Sequence, residues 1–189
     1  MNLSKITVTT FLGNLDESKL KKLKEKVSLS FKMPIDHSKD WEKCSLISNF
    51  FADYCVSSFY KKKEIKSILS TIINELIENA MKHSYQDQNE INIFLKNCEK
   101  EIIFITENIA TNDTANNLIH TLNQLQTKDI ESLIINRMKN NLMYNQEQSE
   151  IGLLNIIHNF KTSISAKITP IDKTNLNIVE IITRLEHGQ

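Results

Sequence analysis

Glu75, Asn79 and His83 recur at four-residue steps in the segment Asn74-Glu75-Leu76-Ile77-Glu78-Asn79-Ala80-Met81-Lys82-His83-Ser84-Tyr85. On a helix of about 100° per residue they share one side. A carboxylate, an amide and an imidazole aligned in this way supply a proton acceptor, a hard oxygen ligand and a further donor or acceptor. The same helix carries an apolar stripe of Ile65, Ile68, Leu69, Ile72, Ile73, Leu76 and Ala80, so one side of it faces a core. Asn79 projects between Ile68 and Ile72, and His83 projects in the direction of Ile65. Glu75 and Lys82 lie on the stripe's edge. A buried amide or imidazole left unpaired costs roughly 1–3 kcal/mol. Either loop backbone at the helix end or a ligand must meet these groups.

The elements around this helix can be read from periodicity. Glu90–Lys96 alternates polar and apolar residues, and Glu101–Thr106 is a short β-branched apolar run. With Asn97-Cys98-Glu99-Lys100 as the turn, they predict a hairpin. Glu107 and Asn108 follow, and either can accept a hydrogen bond. Leu118, Leu122 and Leu125 form one helical stripe, and Ile130, Leu133, Ile134, Met138 and Leu142 form another, with Thr127-Lys128-Asp129 between them. Ser149 caps an amphipathic helix bearing Leu153, Ile156, Ile157 and Phe160. Residues 162–169 and 176–183 predict a final hairpin around Pro170 and the polar run Asp172–Asn175. Upstream, Ile6–Phe11 and Val27–Phe31 read as strands flanking a Lys-rich helix, and two helices follow near 41–60 and 63–85. Trp41, Phe50, Phe51 and Tyr54 have the spacing of core or partner contacts.

The pattern Glu75, three residues, Asn79-Ala80, one residue, Lys82-His83 resembles the N-box of the GHKL superfamily, the gyrase-type, chaperone-type, histidine-kinase and mismatch-repair ATPases. The resemblance implies an α+β fold. This is a two-layer α/β sandwich with helices on one face of a mixed, largely antiparallel sheet. It also implies an ATP pocket lined by the box helix, with Mg²⁺. Glu75 would be the general base or water-orienting carboxylate and Asn79 the metal ligand. Lys82 and His83 would approach the phosphates. Glu107 or Asn108 would read the adenine amino group. Ser149–Ile157 resembles the family's Gly-x-Gly-Leu-x-x-Ile box, with Gly152 at the second glycine and Glu150 at the first. Residues 109–149 correspond to the ATP lid, which could close on nucleotide, present a partner surface or bury a homodimer interface. Asp40–Cys55 looks like the preceding helix of small stand-alone bacterial regulators, of which the SiaB-family and anti-sigma-factor kinases are functional analogues. The resemblance covers roughly residues 28–184. Residues 1–27 form a poorly matched N-terminal extension, and the whole of 1–189 reads as one domain.

Composition narrows the classes. Hydrophobic residues make 40% of the 189, with 23 basic and 23 acidic side chains. This argues against a disordered chain and, lacking a basic excess, against a general nucleic-acid binder. No apolar run approaches the roughly 18 residues of a membrane span, and the N-terminus lacks a secretory layout. Cys44, Cys55 and Cys98 have no paired spacing, so buried thiols in a reducing cytoplasm are expected. His120 and His158 read as structural, Arg137 as a solvated position, and the runs Lys19–Lys24 and Lys61–Lys63 as solvated faces.

Two functions of different class follow. An intact Glu75–Asn79 pair implies an ATP- and Mg²⁺-dependent protein serine/threonine kinase that phosphorylates a small partner in a switching pathway. The resembled family has an adenine-reading Asp followed by glycines after this strand; neither is present at Glu107–Ala110, and this, together with Glu150, implies a nucleotide-independent module that sequesters a regulatory partner.

Overall fold

A computed structural model of the chain describes residues 8–13, 25–35, 41–57, 62–127, 129–144, 151–160 and 162–186. Its strands are β1 (Thr10–Leu12), β2 (Glu25–Pro34), β3 (Glu90–Cys98), β4 (Glu101–Thr111), β5 (Ser163–Pro170) and β6 (Leu176–Glu186). Its helices are α1 (Trp41–Val56), α2 (Lys62–Lys82), α3 (Asn112–Thr127), α4 (Ile130–Tyr144) and α5 (Ile151–Phe160). The strand order is β1-β5-β6-β4-β3-β2. Every neighbouring pair is antiparallel, so the expected two-layer α/β sandwich forms on a sheet with no parallel pairing among these strands.

Alternation along the strands divides the sheet into two faces. Ile91, Ile93 and Leu95 of β3 point into the core, as do Phe104 and Ala110 of β4 and Val179 and Ile181 of β6. The apolar stripe of α2 meets them with Leu69, Ile72, Ile73, Leu76 and Ala80, all buried. Helix α1 packs on α2, and the Cys44 thiol lies 3.4 Å from the Met81 sulfur. Removing a side chain such as Leu76 or Phe51 from water is worth about 1.5–3 kcal/mol. This apolar burial, more than helix propensity, holds α1 and α2 to the sheet. On the other face Glu101 and Arg184 make a two-pronged ion pair, Nε to Oε2 at 2.6 Å and Nη2 to Oε1 at 2.9 Å.

Several boundaries differ from the sequence reading. β4 continues to Thr111, so the first three residues assigned to the lid are strand. The rest of the described lid is helical, in two pieces as expected. Thr111 Oγ1 accepts the Thr114 N–H at 3.3 Å and starts α3. Asp129 Oδ2 accepts the Ser132 N–H at 3.0 Å and starts α4. Phe51 is buried, whereas Phe50 and Tyr54 on the same helix are exposed, at 60% and 39%. Met138, grouped with core residues by its spacing, is 47% exposed. Among the described residues the three cysteines form no disulfide, and all three are buried. Ile6 and Thr7 of the first expected strand, the Lys-rich helix, Lys61, Lys128, Ser149 and Glu150 lie outside the described residues, as do the side chains of Trp41 and Arg137. Among the described residues no helix is long and apolar enough to cross a membrane.

Candidate functional site

The C-terminal end of α2 is fixed by the loop that follows it. Ser84 Oγ donates to Ala80 O at 2.6 Å. The Tyr85 N–H donates to Ile109 O at 2.7 Å, and the Ile109 N–H donates to Gln88 Oε1 at 2.6 Å. Both main-chain groups of Ile109 are thus satisfied by this loop. The contacts tie the helix end that carries Asn79 and His83 to the part of β4 that carries Asn108.

A cavity of about 180 Å³ opens there. Asn79 and His83 of α2, Asn108 and Ala110 of β4, and Val179 and Ile181 of β6 line it, and α3 and Leu153 of α5 close it. The α3 wall contains Thr114, Asn117, Leu118 and Thr121. Asn79 Nδ2 is buried with no hydrogen-bond partner among the described residues. An unpaired buried amide N–H costs about 1–3 kcal/mol, so this donor would gain from any acceptor that reached it. A mostly apolar wall with a few converging polar groups is the usual make-up of a small-molecule site.

The seven residues singled out in the sequence separate into four places. Asn79, His83 and Asn108 share the cavity wall. Glu107 lies on the opposite face of β4, where its Oε1 accepts the Asn92 Nδ2–H at 2.7 Å. Lys82 is exposed at the last residue of α2. Glu75 and Gly152 meet each other behind Asn79. A Cβ built on Gly152 would run into the Glu75 carboxylate, with Glu75 Cδ at 3.3 Å and Asn79 Nδ2 at 3.7 Å. Glycine is therefore what lets the first turn of α5 approach α2 so closely. Burial pushes the Glu75 carboxyl above its ordinary range, and the neighbouring Glu78 charge adds to the shift.

At about 180 Å³ the cavity is smaller than the roughly 300–1,000 Å³ typical of sites that engulf a whole ligand. The helix start at Gly152, otherwise attractive to anions, already has a carboxylate against it. The α3 and β6 wall was missed in the sequence. The small polar residues Thr114, Asn117 and Thr121 flank the Leu118 stripe at helical spacing, and this was the available signal.

No family model matches the chain, and no curated protein matches it. Among solved structures, nine chains match. One is from the crystal structure of the SiaB–SiaC complex from Pseudomonas aeruginosa. It has a TM-score of 0.62 at 12% identity, over 91% of this chain and 99% of that one. At this identity the likeness is one of fold: the two chains share the α/β sandwich over nearly their whole lengths.

Proposed function

We propose that this chain is a signalling regulator of the GHKL type that acts on a protein partner, binds an adenine nucleotide in the cavity between α2 and α3, and works as a protein serine/threonine kinase. The observation that carries this reading is the orphaned Asn79 amide beside His83 and Asn108 on one apolar cavity. Asn108, which shares the cavity with Asn79, is the better placed of the two candidate adenine readers, since Glu107 is engaged by Asn92 on the far face. Half a turn of the Asn79 amide about its last bond would present its oxygen to a hard cation such as Mg²⁺. The nucleotide would supply the phosphoryl group. Glu75, made more basic by burial, would accept the proton of a partner hydroxyl at its carboxylate. Lys82 and His83 would add positive or hydrogen-bonding character at the helix end.

The partner reading is supported by the fold shared with a chain of a two-protein complex. It is also supported by Leu46, Phe50 and Tyr54, a stripe at four-residue steps on α1 in which Leu46 is 70% exposed. Exposed large apolar groups in such a row are typical of contact surfaces.

A second reading, a nucleotide-independent module that sequesters its partner, is favoured by the Glu75 carboxylate against Gly152. Thermal unfolding with Mg-ATP separates the two. Ligand at about 100 times Kd stabilises by roughly 2.7 kcal/mol, several degrees for a domain of this size. A melting temperature unmoved by millimolar Mg-ATP would eliminate the kinase. If a shift occurs, loss of partner phosphorylation in Glu75→Gln with folding retained assigns Glu75 its role.

A further inference from the structure

We propose that Glu75 is a built-in anion that holds the phosphate end of the cavity shut. The arrangement seen here would then take the heterocyclic end of a nucleotide and gain nothing from its phosphates until Glu75 leaves Gly152. The inference rests on the nucleotide reading and adds regulation to that same site.

Three features carry it. First, the Glu75 carboxylate occupies the space a side chain at residue 152 would fill, and Asn79 Nδ2 lies 3.7 Å from that point. The Glu75–Gly152 contact therefore lies beside Asn79, a residue that also lines the cavity. Second, α5 is firmly seated. Leu154 and Ile156 are fully buried, and the helix packs on both α2 and α4. The Glu75 side chain, rather than the helix, is the part that can swing away. Third, a polyphosphate entering along the seam would meet the Glu75 carboxylate, with no room beside Gly152 for another oxyanion. Burial already makes the Glu75 charge costly, so its release toward solvent or a partner hydroxyl is favoured once the seam is disturbed. The same carboxylate would then be free for proton transfer.

Calorimetric titration of adenosine, ADP and Mg-ATP into wild type, Glu75→Gln and Glu75→Ala tests this, with circular dichroism melts confirming that each variant folds. Wild type is expected to bind all three ligands within about threefold of one another, and both variants to bind Mg-ATP at least about tenfold tighter with adenosine unchanged. Wild type that prefers Mg-ATP to adenosine by about tenfold, or variants with an unaltered ratio, would overturn the proposal. Tightening in Glu75→Ala alone would also overturn it, because the obstruction would then be bulk and not charge. Failure of all three ligands to bind any of these proteins would bring down the nucleotide reading itself, and this inference with it.

Discussion

Gly152 and Glu75 are matched across the α2–α5 seam: the glycine has no Cβ, and the carboxylate occupies the space this leaves. The pairing couples Gly152→Ala to Glu75. Alanine is about 1 kcal/mol better than glycine inside a helix, but here the added methyl displaces the carboxylate, the far end of a flexible side chain. In the wild-type protein Gly152→Ala should therefore gain less than that amount. In a Glu75→Ala background the same change should be more stabilising. Urea denaturation of the four proteins gives the coupling directly, and additive effects would mean that the two residues do not interact.

Stability should also depend on pH through Glu75. Its folded carboxyl titrates above the unfolded value because of burial and then Glu78. Between those two values the native state holds more protons than the unfolded chain, so stability falls as pH rises through that window. Below the window the penalty is absent, and above it the loss is complete. Glu75→Gln should flatten this part of a melting-temperature profile recorded from acid to neutral pH and be the more stable protein at neutral pH.

Asn79 contributes little to the empty fold. Its Nδ2 has no partner among the described residues, so Asn79→Leu should cost less than about 1 kcal/mol and could stabilise. The same change should weaken adenine-nucleotide binding by about tenfold or more. A large stability loss in guanidinium unfolding would show that the amide is structural.

Phe50 and Phe51 are neighbours in sequence with opposite environments. Their rings contact at 5.7 Å between centroids, but Phe51 also reaches Phe104 of β4 at 6.0 Å. Phe51→Ala should cost about 3–5 kcal/mol. Phe50→Ser should stay within about 0.5 kcal/mol of wild type while abolishing capture of a partner that docks on α1. Paired denaturation curves and a binding assay on the two variants suffice.

Across β4 and β6, Arg184→Ala should leave the Glu101 carboxylate, only 7% exposed, without its guanidinium. Loss of one member of a buried pair costs roughly 3–5 kcal/mol. The lower end applies here, since Arg184 is partly exposed. Glu101→Gln combined with Arg184→Ala should recover part of the loss.

The helices and both hairpins were legible because their apolar spacing is regular. The α2 stripe and the Glu90–Lys96 alternation each specify one face unaided. The division between Glu107 and Asn108 was not legible. Residues 101–104 are all buried, which hides the strand's parity, and polar residues after an apolar run read as a loop. Only the register, with Asn92 opposite Glu107, shows that both belong to the strand and point to opposite sides. The difference between Phe50 and Phe51 was hidden for a related reason: on a helix with a wide apolar surface, spacing alone does not say where the neighbouring layer stops. The α3 and β6 wall of the cavity depends on residues about 60 positions apart meeting, a relationship that no local pattern encodes.

The position of β6 has a consequence for how the protein is made. It lies between β4 and β5, pairing Thr111 with Leu176 and Glu101 with Glu186. During synthesis β4 waits with a bare hydrogen-bonding edge until residues 176–186 emerge from the ribosome, and such edges invite pairing with other chains. Long-range pairing of this kind also slows folding. The nascent chain should therefore depend on chaperones until that stretch is complete, and truncations before residue 176 should aggregate rather than yield a smaller stable fragment.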